Sequence, residues 1–311
     1  KQLLSGAGYQ YLIPEFINSK QQTILSVATG TTQIEQGLIQ LGSDGNLIHA
    51  KKITFNIQVG GGHFSVDKGP DDGVILCNHT GSNGQLLIAL LDSNVSQKWG
   101  KTFNLQLNKN ENLTSVRIAC FNESVYVVAK SEIVENVNKV YSDFLLILKI
   151  DATDGHLVSK KKYKLNDSVP IYRLFNNSLQ GFVAKGVVSD KFITKYIPDE
   201  GLVIAGRKGE NFFDNNRLFA IKLDSNLNVS NYKLLRFNDS FSFNDRNYVG
   251  YPSNISNDGH TLISLMRDTV DQLGNTIASN NAYSILLDKN LNILSQQKQS
   301  LLTSGLTNLN G

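Results

Sequence analysis

Charged residues are scarce in this sequence. Only 18% of its 311 residues are Asp, Glu, Lys or Arg, and the formal net charge is +3. A protein that binds nucleic acid through its phosphates needs cations gathered on one face. The one basic run, Lys160-Lys161-Lys162 with Lys164, falls on a predicted strand, where lysines protect an exposed sheet edge from pairing with another chain. The composition therefore argues against nucleic acid as a partner.

Long hydrophobic runs and cysteine are scarce too. The longest apolar runs hold about eight residues, well short of the roughly 20 that a membrane-spanning helix needs. The two cysteines, Cys77 and Cys120, each end an apolar strand-like run, so we expect buried free thiols and no disulfide scaffold. Because the chain begins with Lys1 and shows no charged-then-apolar leader, we expect a mature or trimmed product of a longer protein.

Catalytic and metal-binding motifs are also missing from the sequence. Its five histidines include no pair at metal-ligand spacing. Residues 151–155 begin like a calcium loop, but the alternating oxygen ligands and the closing Glu do not follow, so a hairpin turn is expected there. Neither a nucleophile elbow, a Walker loop nor a Cys-x-x-Cys motif occurs. The sequence predicts no catalytic residue, no metal and no cofactor.

What the sequence does contain is a repeat. An apolar run that ends in a polar turn, Leu218 to Asn226, recurs in close form at residues 86–94, 144–151 and 283–290, and more loosely at 37–46. A second pattern lies upstream of these, a turn rich in Asp, Asn and Gly followed by an apolar strand, at residues 70–77, 122–129, 198–206 and 256–264. Asp and Asn cap their own backbone and Gly accepts a positive φ, as tight hairpins require.

Each repeat predicts four antiparallel strands. One precedes the Asp/Gly turn, one follows it, the third is the near-continuous apolar run, and the last alternates between polar and apolar residues, as in residues 95–103. A continuous apolar strand is typical of one covered on both faces, whereas alternation is typical of a half-exposed strand. Four such strands describe the blade of a β-propeller, and helical periodicity is absent.

The predicted fold is therefore an all-β propeller, a single domain over residues 1–311 that is expected to belong to a longer chain. Five full blades are predicted at residues 9–55, 63–104, 113–165, 192–237 and 248–302. Residues 166–190 resemble the first two strands of a further, partial blade. Six or seven blades remain the alternatives.

The repeated phrase LxxIKLDSN at residues 218–226, together with polar fourth strands such as residues 97–102, resembles the repeats of secreted and cell-surface bacterial propellers of the SBBP type and related domains of unknown function. The resemblance extends over most of the chain through its repeats. It implies a propeller scaffold and an extracytoplasmic setting without a shared active site. The irregular blade spacing and the incomplete unit depart from that family's pattern.

Candidate binding residues lie in the long loops that join second and third strands, which gather on one face of a propeller. The richest loop contains Arg207, Lys208, Glu210, Phe212 and Phe213. Its aromatic rings are candidate anchors for a ligand, and Arg207 is a candidate partner for an anionic or amide group. The alternative is that both rings pack beneath the loop and hold it in place.

A second candidate is the pair Arg267 and Asp268 in another of these loops, for which an ordinary solvated ion pair is the alternative. The sequence favours a non-enzymatic propeller that binds a protein or a surface glycan. A glycoside hydrolase with paired carboxylates is the main alternative, with Asp190, Glu132 and Asp268 as available acids, although the single Trp lies on an outer strand. The third possibility is a structural spacer in a larger surface protein.

Overall fold

The structure is a computed structural model, and it describes residues 9–29, 35–53, 65–80, 84–134, 141–164, 192–207, 218–235, 247–250, 254–268 and 280–301. Regular structure in these ranges is β-strand throughout, apart from one short 3₁₀ turn at Pro70–Asp72. The predicted all-β class is confirmed. Nothing in the described ranges forms a helix that could cross a lipid bilayer.

Five antiparallel sheets form, each from strands that follow one another in the chain. Sheet 1 contains β1 (Tyr9–Ile17), β2 (Thr23–Thr29), β3 (Glu35–Leu41) and β4 (Leu47–Ile53). Sheet 2 contains β5 (Ser65–Lys68), β6 (Val74–Thr80), β7 (Gln85–Leu91) and β8 (Gln97–Asn104). Sheet 3 contains β9 (Glu111–Phe121), β10 (Ser124–Val134), β11 (Tyr141–Asp151) and β12 (Leu157–Lys164).

Sheets 4 and 5 repeat the arrangement in the second half of the chain. Sheet 4 contains β13 (Phe192–Ile197), β14 (Gly201–Arg207), β15 (Leu218–Leu223) and β16 (Val229–Leu235). Sheet 5 contains β17 (Asn247–Gly250), β18 (Asn254–Ile255), β19 (Thr261–Asp268), β20 (Asn280–Leu287) and β21 (Ile293–Leu301). Both β17 and β18 pair with β19, so the first strand of sheet 5 is formed in two pieces.

The five sheets occupy the five predicted blades, and their four-stranded meander is that of a propeller-like fold. The predicted partial blade at residues 166–190 lies outside the described residues. The chain divides into two compact units. Unit 1 contains sheets 1 to 3, apart from the ends of β10 and β11, and unit 2 contains sheets 4 and 5. The single domain over the whole chain stays a prediction.

The third strands of sheets 3 and 4 are buried on both faces, as their continuous apolar sequence predicts, whereas buried and half-buried residues alternate along most of β7. In β11 the consecutive residues Leu145, Leu146, Ile147 and Leu148 are each at most 1% exposed. The neighbouring fourth strand β12 instead has exposed and half-buried residues in turn. Since each fully buried Leu or Ile contributes roughly 1.5–3 kcal/mol, the third strands supply much of the core.

The polar turn that ends the repeat has one geometry in three sheets. In sheet 4, Oδ1 of Asp224 accepts hydrogen bonds from the backbone N–H groups of Asn226 (2.9 Å) and Asn228 (2.7 Å). Leu227 sits between them at φ 62° and is fully buried. Asp92 with Val95, and Asp288 with Leu291, repeat the arrangement. Burial of the apolar side chain offsets the cost of its left-handed backbone, which is roughly 1–2 kcal/mol.

Several contacts between the sheets of unit 1 span the same interval along the chain. Trp99 Nε1 donates to the carbonyl of Ala152 (2.8 Å), and the backbone N–H of Ile118 donates to Ser65 Oγ (3.1 Å). Both pairs are 53 residues apart in the chain. Between the sheets of unit 2, Asn231 and the carbonyl of Asn290 are 59 residues apart. The spacing of the sheets themselves is unequal, since the third strands of sheets 1 to 3 end at Leu41, Leu91 and Asp151.

Both cysteines are free, which confirms the predicted absence of a bridge. Cys77 is fully buried in the core shared by sheets 2 and 3, and the half-buried Cys120 packs against that core. Burial raises the pKa of both thiols, that of Cys120 to about 12 with a further contribution from the charge of Asp67. Both thiols therefore remain protonated and unreactive near neutral pH.

Candidate functional site

Predicted binding residues lie at the ends of the second strands of sheets 4 and 5. Arg207 is the last residue of β14 and pairs with Leu218 at the start of β15. Arg267 and Asp268 close β19, the corresponding second strand of sheet 5. The other predicted binding residues, Lys208, Glu210, Phe212 and Phe213, lie outside the described residues.

Sheets 4 and 5 lie side by side with their tight turns at the same end. Asn231 Nδ2 donates to the carbonyl of Asn290 (2.5 Å), and Lys222 Nζ donates to the carbonyl of Lys289 (3.2 Å). These residues lie in or beside the hairpins between third and fourth strands. Because the strands are antiparallel, the junctions after β14 and β19 lie together at the opposite end.

A group of charged residues that sequence reasoning missed lies on the first strands of unit 1. Glu15 is on β1, Asp67 on β5, and Arg117 and Cys120 on β9. The fifth member, Ser26, is on β2 and is fully buried. We refer to these five residues as the first-strand cluster. Three consecutive sheets each contribute one charged side chain to it.

Glu15 occupies a bulge in β1. Pro14 pairs with Leu25 and Phe16 pairs with Ile24, so Glu15 is the extra residue between two register positions. Pro14 supports this irregularity because proline has no N–H group to donate to a ladder. A bulge changes the direction in which its side chain points. The carboxyl group of Glu15 accepts a hydrogen bond from the hydroxyl of Ser26.

The surroundings of Glu15 favour its protonated form. Burial raises the pKa of this carboxyl group from its ordinary value of 4.5 to about 7. The Ser26 hydrogen bond and the positive charge of Arg117 act in the opposite direction, while the negative charge of Asp67 adds to the increase. Glu15 is therefore divided between its neutral and ionised forms near neutral pH.

Arg117 is the cation of the first-strand cluster. Burial lowers the pKa of its guanidinium group to about 10, and the charge of Glu15 opposes that decrease. Nη1 of Arg117 donates to the carbonyl of Val116 on its own strand (2.9 Å). Arg117 remains charged at physiological pH, so it is a permanent electrostatic partner for Glu15 when that residue ionises.

Asp67 has a structural task in the cluster. Its Oδ2 accepts the backbone N–H of Cys120 (3.0 Å), and its Oδ1 accepts that of Lys68 (2.8 Å). Ser65 on the same strand accepts the N–H of Ile118. Side chains of β5 thus satisfy amide groups along the edge of β9, which pairs only on its other side within sheet 3.

A second buried carboxylate of unit 1, Glu111, has many more direct partners. Its Oε1 accepts from Ser131 Oγ (2.5 Å), and its Oε2 accepts from Lys162 Nζ (2.6 Å) and from the backbone and side-chain nitrogens of Asn108 (2.9 Å each). Burial alone would raise the pKa of Glu111, but these hydrogen bonds together hold it below its ordinary value. Glu111 is an ionised, structural residue.

Lys162 comes from the basic run of the sequence. Its strand β12 is the terminal strand of sheet 3, which confirms that these lysines lie on a sheet edge. Lys162 also lies over the ring of Phe144 at 4.5 Å from the ring centroid, and Lys160 Nζ donates to the carbonyl of Leu105 (2.8 Å). The lysine side chains of β12 therefore contact sheet 2 as well as other strands of sheet 3. The strand itself lies at the edge of sheet 3.

Unit 2 contains a comparable ionic contact between its sheets. Glu200 accepts hydrogen bonds from Lys222 and, at 3.0 Å, from Lys289. Both lysines lower the pKa of Glu200, with the Lys222 hydrogen bond contributing most. The contact joins the turn before β14 to the third strand of sheet 4 and to the hairpin of sheet 5.

Two further features of the described residues resemble ligand sites. Side-chain ligand atoms of Asp151, Asp154 and His156 lie within 4.8 Å of one another. They belong to the hairpin between β11 and β12, where Asp154 Oδ1 contacts His156 Nδ1 at 2.7 Å, so the predicted turn explains their proximity. A cavity of about 170 Å³ in unit 2 is lined by Ile193, Thr194, Lys195, Asn254 and Ile255.

The acids predicted for a hydrolase lie on different sheets or outside the described residues. Glu132 pairs with Asn112 in the β10–β9 ladder of sheet 3, and Asp268 pairs with Asn247 in sheet 5. Asp190 lies outside the described residues. The turn carboxyl groups of Asp151 and Asp154 lie close together, and the charge of Asp67 acts on the carboxyl group of Glu15. The sequence signal that could have identified Glu15 is a single acidic residue beside a proline in an apolar first strand, Pro14-Glu15.

These features define a propeller-like all-β protein. No family model matches the chain, and no curated protein matches it. Among solved structures it is similar to polysaccharide lyase Uly1, with a TM-score of 0.51, 10% identity, and coverage of 92% of this chain and 72% of that one.

Two other solved structures show the range of the similarity. A mutant of Synechocystis apocarotenoid oxygenase has a TM-score of 0.50 at 11% identity and covers 96% of this chain. The chain spans 63% of that oxygenase. A DUF4221 family member from Bacteroides vulgatus has a TM-score of 0.45 at 10% identity, with 94% of this chain and 82% of that one covered. At such identities the similarity concerns the fold alone.

Proposed function

We propose that this chain is an extracytoplasmic binding protein whose propeller-like scaffold holds a surface glycan or a protein partner at the loops between second and third strands. The observation that carries the proposal is the contrast between the two ends of sheets 4 and 5. Three residues, 198–200, join β13 to β14, and five, 224–228, join β15 to β16. Ten residues, 208–217, join β14 to β15, and eleven, 269–279, join β19 to β20.

Long connections at one end of a rigid scaffold are where binding residues concentrate. Arg207 and Arg267 lie at the ends of β14 and β19, where these connections begin, and are offset by one register position. Arginine presents a planar fork of N–H donors that suits carboxylate and other anionic groups. The connection after β14 also contains Phe212 and Phe213, which are candidate apolar anchors. The expected partner therefore has anionic or amide groups beside an apolar surface.

The test is binding to a defined set of immobilised acidic and neutral polysaccharides, measured by biolayer interferometry. We expect the double variant Arg207→Ala/Arg267→Ala to lose tenfold or more in affinity for the polysaccharide that the unmodified protein binds, and Phe212→Ala/Phe213→Ala to lose a similar factor. Lys20→Ala removes an exposed cation from the tight turn between β1 and β2 and serves as the matched control. Unchanged affinity in both double variants would overturn the choice of surface.

A glycan-cleaving enzyme is the second candidate, and the first-strand cluster favours it. Glu15 and Asp67 are two carboxyl groups in different environments, and such pairs can divide the roles of acid and base. The solved structure of a polysaccharide lyase shares the fold. If this candidate is right, the protein degrades at least one polysaccharide of the same set and Glu15→Gln abolishes the reaction while binding persists.

A structural spacer in a larger surface protein is the remaining alternative. A spacer would bind none of the polysaccharides and no surface protein of the cell from which it comes. The sequence of the full reading frame distinguishes it from a binding protein, because a spacer would be flanked by further surface domains.

A further inference from the structure

A bulge in β1 places Glu15 under the influence of charges from two other sheets. The bulge lies between Pro14 and Phe16 on β1. Strand β1 packs against β5, and β5 packs against β9. The charges of Asp67 on β5 and of Arg117 on β9 act on Glu15. The three residues belong to sheets 1, 2 and 3. A change in the charge of Glu15 therefore alters its electrostatic interaction with residues of sheets 2 and 3.

The neighbours of Glu15 also form hydrogen bonds with other groups of the fold. Asp67 accepts the backbone N–H groups of Lys68 and Cys120, and the guanidinium group of Arg117 donates to the carbonyl of Val116. The hydroxyl of Ser26 on β2 donates to Glu15. The thiol of Cys120 remains protonated. Arg117 and Cys120 thus keep constant charge across the neutral range, whereas the pKa of Glu15 lies within it.

We propose that Glu15 is a proton-controlled contact among the first three sheets, which holds them together more strongly when its carboxyl group is protonated. A neutral carboxyl group fills the partly buried space beside Ser26 without a desolvated charge. An ionised one gains the attraction of Arg117 but bears the repulsion of Asp67 and the cost of burial. The proposal concerns the scaffold and does not depend on which partner the protein binds.

The direction of the pH effect follows from the pKa of Glu15. Its folded value of about 7 lies above its ordinary value of 4.5. Stability from this group is therefore fully present below about pH 4.5 and is lost as the pH rises through 7. We expect acidification from pH 8 to pH 5 to increase the stability of unit 1.

The first experiment compares thermal unfolding of the full chain and its Glu15→Gln variant between pH 5 and pH 8.5. Glutamine keeps the shape of the side chain and removes its titration. We expect the Tm of the unmodified protein to fall by about 5 °C relative to the variant over this interval. Glu111→Gln is the matched control, because Glu111 is also buried in unit 1 but has a lowered pKa. Parallel curves for the protein and Glu15→Gln would overturn the proposal.

A second measurement decides the question even if Glu15→Gln does not fold. The sequence contains only eight glutamates, so carboxyl resonances of protein labelled with ¹³C-glutamate can be followed individually by NMR. We expect one resonance to titrate near pH 7 and to be missing from Glu15→Gln. The proposal is wrong if every glutamate titrates below about pH 5.5, or if the resonance near pH 7 survives in the variant.

Discussion

Glu15 and Glu111 are two carboxyl groups of the same unit whose pKa values are shifted in opposite directions. Both accept a hydrogen bond from a buried serine, and both have a cation nearby. Lys162 donates directly to Glu111 at 2.6 Å, and Asn108 adds two further donors. Arg117 acts on Glu15 through its charge, and Asp67 counteracts it. The number of direct donors, more than burial, decides whether a carboxyl group in this fold ionises.

The largest expected effect comes from breaking the Glu111 contact. Lys162→Met leaves a carboxylate with a fully buried side chain without its cation, and we expect a loss of about 3 kcal/mol in the free energy of unfolding. Urea denaturation at pH 7 measures it. Lys164→Met on the same strand is the control and should change stability by less than about 0.5 kcal/mol. Equal effects of the two variants would show that Glu111 is held by its neutral donors alone.

Removing the cation near Glu15 should produce a smaller loss that depends on pH. Arg117→Met deprives the ionised Glu15 of its attraction and leaves the repulsion of Asp67. We expect a loss of about 2 kcal/mol at pH 8 and a clearly smaller one at pH 5, where Glu15 is protonated. Urea denaturation at the two pH values gives the comparison. A loss that is the same at both would mean that Arg117 contributes through packing only.

The serine of the first-strand cluster offers a finer test. Ser26→Ala removes the hydroxyl that donates to Glu15 and should cost about 1 kcal/mol. Because this hydrogen bond lowers the pKa of Glu15, its removal should move the titration midpoint of Glu15 to higher pH. The ¹³C carboxyl titration measures the midpoint. A midpoint that moves down instead would contradict the assigned direction of the hydrogen bond.

The smallest effect is expected where a carboxylate is fully solvated. Lys98 Nζ lies 3.5 Å from Asp71, and both side chains are largely exposed. Lys98→Ala should change the free energy of unfolding by less than about 0.5 kcal/mol, since such pairs are screened by water and salt. Thermal unfolding at low and high salt checks this. A loss that disappears at high salt would show that surface charge matters more in this scaffold than the buried contacts suggest.

Most of the fold could be predicted because its signals are local. Each apolar third strand and the turn that follows it, as at Asp224 and Asp288, lie within about ten residues of sequence. Each such stretch predicts the same type of hairpin. Which strand lies at a sheet edge also followed from a local pattern, the lysines of β12. The local repeat therefore predicted both the sheets and their order of strands.

The first-strand cluster could not be predicted in the same way. Its members are single charges on strands about 50 residues apart, and nothing in the sequence indicates that they face one another. The position of Glu15 also depends on a bulge, which shifts the face of a side chain by one residue and is invisible to a period-two pattern. The Lys162–Glu111 contact was missed for the same reason, since its partners are 51 residues apart.

The unequal spacing of the sheets in unit 1 has a genetic consequence. Three contacts between these sheets join residues 53 apart, but the third strands of sheets 1 to 3 end at Leu41, Leu91 and Asp151, so equivalent positions are not one fixed interval apart. Unequal recombination that duplicated or excised a DNA segment of one fixed length would therefore shift the register of the following strands instead of exchanging whole sheets.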